Sequence, residues 1–156
     1  MSKDAKPAIE TLQLEKELKK QGSVIWRCNG ISMNPFIKPD RDLVILESIK
    51  SEPDPYDVVM YKLGNDKQYV LHRLINKEED KYVILGDNCT TIENVPKDKV
   101  IAVMTGIIRD GKKIDTDTLW YKLYEQLWIK PYKFRINAIK TKHRIKATLK
   151  KIKKKL

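Results

Sequence analysis

The chemistry this sequence could perform centres on Ser32 and His72. Ser32 stands in "GISMNPFI", residues 30–37, bracketed by Gly30 and Pro35 with Asn29 and Asn34 close by. His72 stands in "VLHRL", residues 70–74, in an otherwise apolar run beside Arg73. A serine hydroxyl is a weak nucleophile until a base removes its proton, and the oxyanion it creates needs fixed N–H donors. A turn such as Gly30-Ile31-Ser32-Met33 can aim the Oγ and the backbone N–H of its serine at one point. An imidazole, with an ordinary pKa near about 6.5, can serve as the base at neutral pH. Each residue also has a plainer reading, a surface serine and a hydrogen-bonded core histidine, and taken singly those readings are favoured. His143, the other histidine, falls in a lysine-rich tail where a solvated role is expected.

Elements must bring these two residues together. Residues 7–21 read as a helix with Pro7 in its first turn, Ile9, Leu12 and Leu14 as apolar positions, and Gly22 as terminator. The period then changes to two. Strands are expected at 23–28, 43–47, 57–62, 68–75, 81–85 and 99–108, separated by turn-forming stretches that include "VPKD" at 95–98. Asp110-Gly111 marks a hairpin joining 105–109 to 112–115. Short strands without intervening helices predict a mainly β fold, an antiparallel and partly barrelled domain over 1–115 with its β core at 23–115. From about Asp117 the spacing turns helical through Trp120, Leu123, Tyr124, Leu127 and Trp128, and Pro131 interrupts it. A second, basic helix is expected from about Phe134 to the end, striped by Ile145, Leu149, Ile152 and Leu156, so 116–156 form a basic amphipathic tail.

Size and charge bound the partners. A chain of 156 residues can bury a core without disulfides. Cys28 and Cys89 are too few for a secreted framework or a paired-cysteine zinc site, and no metal or cofactor is expected. The start carries no apolar leader and no window is long and apolar enough to span a bilayer. The expected location is cytoplasmic. The net charge is +11, yet residues 112–156 hold fifteen Lys/Arg against three Asp/Glu, so all the excess lies in the tail.

Five pieces in register, "GISMNP", "DLVIL", "YDVVMYK", "VLHRL" and "GDN" at 86–88, resemble the catalytic core of type I signal peptidases, whose superfamily includes the self-cleaving domains of SOS-type repressors. The resemblance covers about residues 24–108. It implies that Ser32 is the nucleophile, that Asp87 falls on the acid of the Gly-Asp-Asn box, and that His72 stands where bacterial enzymes carry lysine. Endoplasmic-reticulum, archaeal and some Gram-positive members carry histidine there. That branch has an Asp six residues after the box acid, a position occupied here by Glu93, so either Asp87 or Glu93 would orient His72. Asp42 and Asp57 fall on two recurring Gly-Asp acids of structural role, although Arg41 and Tyr56 replace the glycines. The resemblance thus implies a serine endopeptidase that cleaves an extended leader- or signal-type peptide or precursor protein, with small side chains preferred before the cut.

Members of that family are anchored by a transmembrane segment, and the tail offers a partial substitute. Trp120 and Trp128 with Lys146, Lys150, Lys153 and Lys154 would contact an anionic membrane surface, peripherally at its inner face. Each apposed lysine could contribute up to about 1 kcal/mol. A solvated lysine tail is weighted equally with the membrane reading, and nucleic acid is the less favoured partner. Two alternatives to an enzyme stand beside the peptidase: a catalytically inactive peptide-binding module and a nucleic-acid-binding protein acting through the tail.

Overall fold

The computed structural model describes residues 7–64 and 68–153, with side chains from Gln13 to Ile152. Helix α1 (Pro7–Gln21) ends where Gly22 turns to φ 76°, a left-handed conformation that glycine adopts without steric cost. Eight strands follow: β1 (Ser23–Trp26), β2 (Asp42–Ser48), β3 (Val58–Leu63), β4 (Gln68–Lys77), β5 (Lys81–Leu85), β6 (Glu93–Pro96), β7 (Val100–Arg109) and β8 (Lys112–Asp115). They form one antiparallel sheet ordered β1-β2-β7-β3-β4-β5-β6 and curled into a half-barrel, with β8 also on β7. The mainly β architecture is thus as the alternation of the sequence predicts.

The curl has a local cause. Irregular register interrupts pairing at Ile45/Leu46 of β2, Met60/Tyr61 of β3 and Leu74/Asn76 of β4. Such bulges bend a strand and sharpen its twist. At the end of β7, Asp110 (φ 50°) and Gly111 (φ 74°) both turn left-handed, the geometry of the tight hairpin that an Asp-Gly pair favours.

Bending the sheet buries both faces of its middle. Val58 to Tyr61 in β3 and Leu71 to Ile75 in β4 are all buried. One cluster collects Leu14 and Leu18 of α1 with Met33, Val44, Leu46, Met60, Leu71, Met104 and Ile107. A second lies around Val59, Tyr61, Leu74, Tyr82, Ile84 and Val95.

Strand β6 is a correction to the sequence reading, which placed a turn through residues 95–98. Residues 93–96 pair with β5, Glu93 opposite Ile84 and Val95 opposite Tyr82, and only then does a 3-10 turn (Lys97–Lys99) follow.

The C-terminal arm runs as α2 (Leu119–Tyr124), a π-helical turn (Glu125–Ile129) and α3 (Tyr132–Lys153). The Thr118 hydroxyl caps α2 by accepting from the Tyr121 N–H at 3.4 Å. Tyr121, Ile129, Arg135 and Ile139 are buried, whereas every residue from Lys140 to Ile152 is exposed. Among the described residues, no helix is long and apolar enough to cross a membrane.

Candidate active site

His72 is buried in β4, where Val59 of the adjacent β3 pairs with it directly and Tyr61 lies two residues farther along β3. Its Nδ1 lies 3.2 Å from Glu93 Oε1 and 3.2 Å from the Tyr61 hydroxyl. Tyr61 donates its one hydroxyl proton to Glu93 Oε2 at 2.5 Å. Both neighbours of Nδ1 therefore present acceptors, so the imidazole proton belongs on Nδ1 and Nε2 keeps its lone pair. Burial pulls the His72 pKa below its ordinary value, opposed by the charge and hydrogen bond of Glu93. The ring is a neutral base at pH 7. Burial and the Glu93 carboxylate together push the Tyr61 phenol well above its usual range, so it stays a donor.

The opposite edge of the ring meets Gly86. A Cβ built there would lie 3.0 Å from His72 Nε2 and Cδ2, and 2.7 Å from Cys89 Sγ. Only a hydrogen fits that space. Two residues on, the Asn88 N–H donates to the Ser32 carbonyl at 2.7 Å, and Asn88 Nδ2 donates to the Ile31 carbonyl at 3.2 Å. The 86–88 loop thus touches the imidazole at one end and holds the serine turn at the other. Among the described residues no hydrogen bond joins the Ser32 hydroxyl to His72.

The serine turn has its own frame. Gly30 adopts φ 104°, and the turn closes through Asn34 N–H to Ile31 C=O at 3.1 Å and Ile37 N–H to Met33 C=O at 3.0 Å. Met33 is buried in the core while Ser32 stays half-exposed beside a cleft of about 350 Å³. Trp26, Cys28, Met60, Tyr69 and Leu71 also line that cleft. Its floor includes the start of β4, which pairs with β3 over Gln68–Arg73 but with β5 only from Arg73 onward.

Asp87 does different work from Glu93. Arg73 grips it bidentately, Nε to Oδ1 at 2.8 Å and Nη2 to Oδ2 at 2.7 Å, with both side chains 0% exposed. Arg73 Nη1 donates to the Tyr56 carbonyl and to the Tyr121 hydroxyl, each at 2.7 Å. Tyr124 donates to Asp87 Oδ2 at 3.0 Å, and the Trp128 indole donates to the Asp87 carbonyl at 3.3 Å. Of the two acids the resemblance offered for orienting His72, Glu93 is therefore the one in contact. Asp87 anchors the loop.

The two remaining acids are held apart from the imidazole. Asp42 is buried between Arg41 and Arg109 at 2.8 Å from each. Asp57 accepts from the Asp54 N–H at 2.9 Å. Tyr56, which stands where the resembling family has glycine, adopts φ 78°, a conformation glycine would take without strain.

The tail residues separate. Trp120, Lys146 and Lys150 are exposed, whereas Trp128 is half-buried and turned onto the Asp87 loop, so its indole faces inward. The backbone of Lys153 is described without its side chain, and Lys154 lies outside the described residues. Residue type alone does not mark Tyr61, Tyr121 and Tyr124 as site residues, because only strand register and the docking of the arm bring their hydroxyls here. Among the described residues no group of three His, Cys, Asp or Glu could hold a metal ion. No protein-family model, curated protein or solved structure matches this chain.

Two substitutions test this geometry. Asp87→Asn leaves the buried Arg73 charge uncompensated and is expected to lower unfolding free energy by about 3–5 kcal/mol in urea titrations. An unchanged midpoint would contradict the role given to the pair. Gly86→Ala drives a methyl against the imidazole and is expected to shift the His72 ring resonances by NMR. Spectra identical to wild type would show that the ring does not abut this loop.

Proposed function

We propose that this chain is a serine endopeptidase of the kind its sequence resembles, cleaving an extended leader- or signal-type peptide through a Ser32–His72 acyl-enzyme. One observation carries the reading. His72 is held on Nδ1 by Glu93 while its Nε2 edge meets the loop that grips the Ser32 turn.

The substrate strand lies extended in the cleft beside Ser32, held by main-chain hydrogen bonds. Ser32 Oγ attacks the scissile carbonyl and passes its proton to His72 Nε2. The Ser32 N–H stabilises the oxyanion. His72 then protonates the leaving amine as the C–N bond breaks, leaving an ester on Ser32. A water, deprotonated by His72, attacks that ester, and the proton returns to Ser32 Oγ as the acid product departs. Glu93 accepts the Nδ1–H throughout, fixing the tautomer and stabilising the imidazolium, and Tyr61 holds Glu93 in place. Small side chains before the cut are the expected preference.

Peptide cleavage followed by mass spectrometry tests the roles. Ser32→Ala and His72→Gln are expected to lose at least about 10³-fold in rate while keeping the far-ultraviolet spectrum of the folded protein. Cleavage by Ser32→Ala at the wild-type rate removes the assignment and leaves a peptide-binding module.

The pH profile tests the orienting acid. The rate requires neutral His72, so it rises with pH through the His72 pKa, and burial places that midpoint below about 6.5. Glu93→Gln deletes the charge that favours the protonated ring, so the midpoint moves to still lower pH while the rate falls by about 10²- to 10⁴-fold. A midpoint that stays put, or moves up, would mean Glu93 does not act on His72.

A further inference from the structure

The arm has two faces with different fates. Its inner face is used: Tyr121, Tyr124, Trp128 and Arg135 hydrogen-bond into the body or along the arm. Its outer face is bare and apolar. Trp120 is 79% exposed, Leu127 70% and Phe134 80%, with Leu119 and Leu123 beside them. Farther on, α3 leaves the globule altogether, and Ile145, Leu149 and Ile152 recur at four and three along it, all exposed. An isolated segment of this length gains little stability from propensity alone, so an apolar stripe along it is stabilised chiefly by what it packs on.

Charge identifies the occupant. Between Lys130 and Lys153 the sequence carries ten Lys/Arg and no Asp or Glu. A second copy of the arm would bring two such rows together with no acid to offset them. Nucleic acid would use the cations but not an aliphatic stripe. An anionic bilayer takes both, cations to headgroups and the stripe to the acyl boundary.

We propose that the outer face of residues 119–152 is an interfacial anchor that lies on an anionic lipid surface. The anchor is independent of the chemistry in the cleft, and its failure would leave the peptidase reading untouched. Trp120, Leu127, Phe134 and Leu149 enter the acyl boundary, and Lys146 and Lys150 reach the headgroups. The arm that docks is the one whose inner face holds the Asp87 loop, so docking fixes the cleft relative to the membrane.

Co-sedimentation of the full chain with vesicles tests this. Binding is expected to phosphatidylcholine vesicles containing phosphatidylglycerol and not to phosphatidylcholine alone. The triple variant Leu127→Glu, Phe134→Glu, Leu149→Glu changes only exposed side chains and is expected to bind at least about tenfold more weakly. Brominated phosphatidylglycerol should quench wild-type tryptophan emission, and Trp120→Phe should lose most of that quenching. The proposal is overturned if anionic vesicles do not pellet the chain, or if the triple variant binds as wild type does. Retention by an RNA homopolymer without vesicle binding, or a dimer that the triple variant dissolves without vesicle binding, also overturns it.

Discussion

A guanidinium and a carboxylate, both removed from water, set the positions of nearly everything else in the site. Taking such a pair out of water costs several kcal/mol per ion, and only good geometry with further hydrogen bonds offsets it. Arg73 and Asp87 have both: two short parallel bonds to each other, the Tyr56 carbonyl and Tyr121 hydroxyl for the cation, and the Tyr124 hydroxyl for the anion. Breaking either partner would strand a charge. The loop from Gly86 to Asn88 is consequently pinned at its middle residue, with one neighbour against His72 and the other on the Ser32 carbonyl.

The two acids near the histidine divide the labour by depth. Asp87 is fully buried and spends its lone pairs on structure, whereas Glu93 is half-buried on an edge strand and meets the imidazole. The serine turn is tied to the same frame from its far side. Phe36 packs against Tyr121 and Tyr124 of the arm, with ring centroids 5.0 Å away in each case. The arm therefore contacts both the turn that carries the serine and the loop that approaches the histidine, and the bare outer face proposed to meet a lipid surface belongs to the same arm.

Much of the fold is legible from residue type. Period-two runs mark the longer strands, Asp110-Gly111 marks its hairpin, and the spacing from Trp120 to Trp128 marks the arm. Strand β6 is not legible, because "ENVP" buries one apolar residue, Val95, and ends in a proline that reads as a turn. The site is legible only as far as residue identity reaches. Ser32, His72 and the pair of candidate acids stand out by type, but their choice between Asp87 and Glu93 depends on which strand lies beside β5, and that is a property of pairing. Arg73 is the sharpest case. Next to a buried histidine, alternation would send it to water, yet β4 is covered on both faces and the arginine is fully buried. Tyr61 joins the site for a similar reason, since only the β3–β4 register brings its hydroxyl to Nδ1.

The account stands on a hydroxyl at residue 32 made nucleophilic by the imidazole at residue 72. Reaction of the intact protein with a fluorophosphonate, with the adduct located by peptide mass spectrometry, reads that property without knowledge of the substrate. The account predicts a single adduct on Ser32 that disappears in His72→Gln. No adduct, or one that forms equally well without the imidazole, would contradict it.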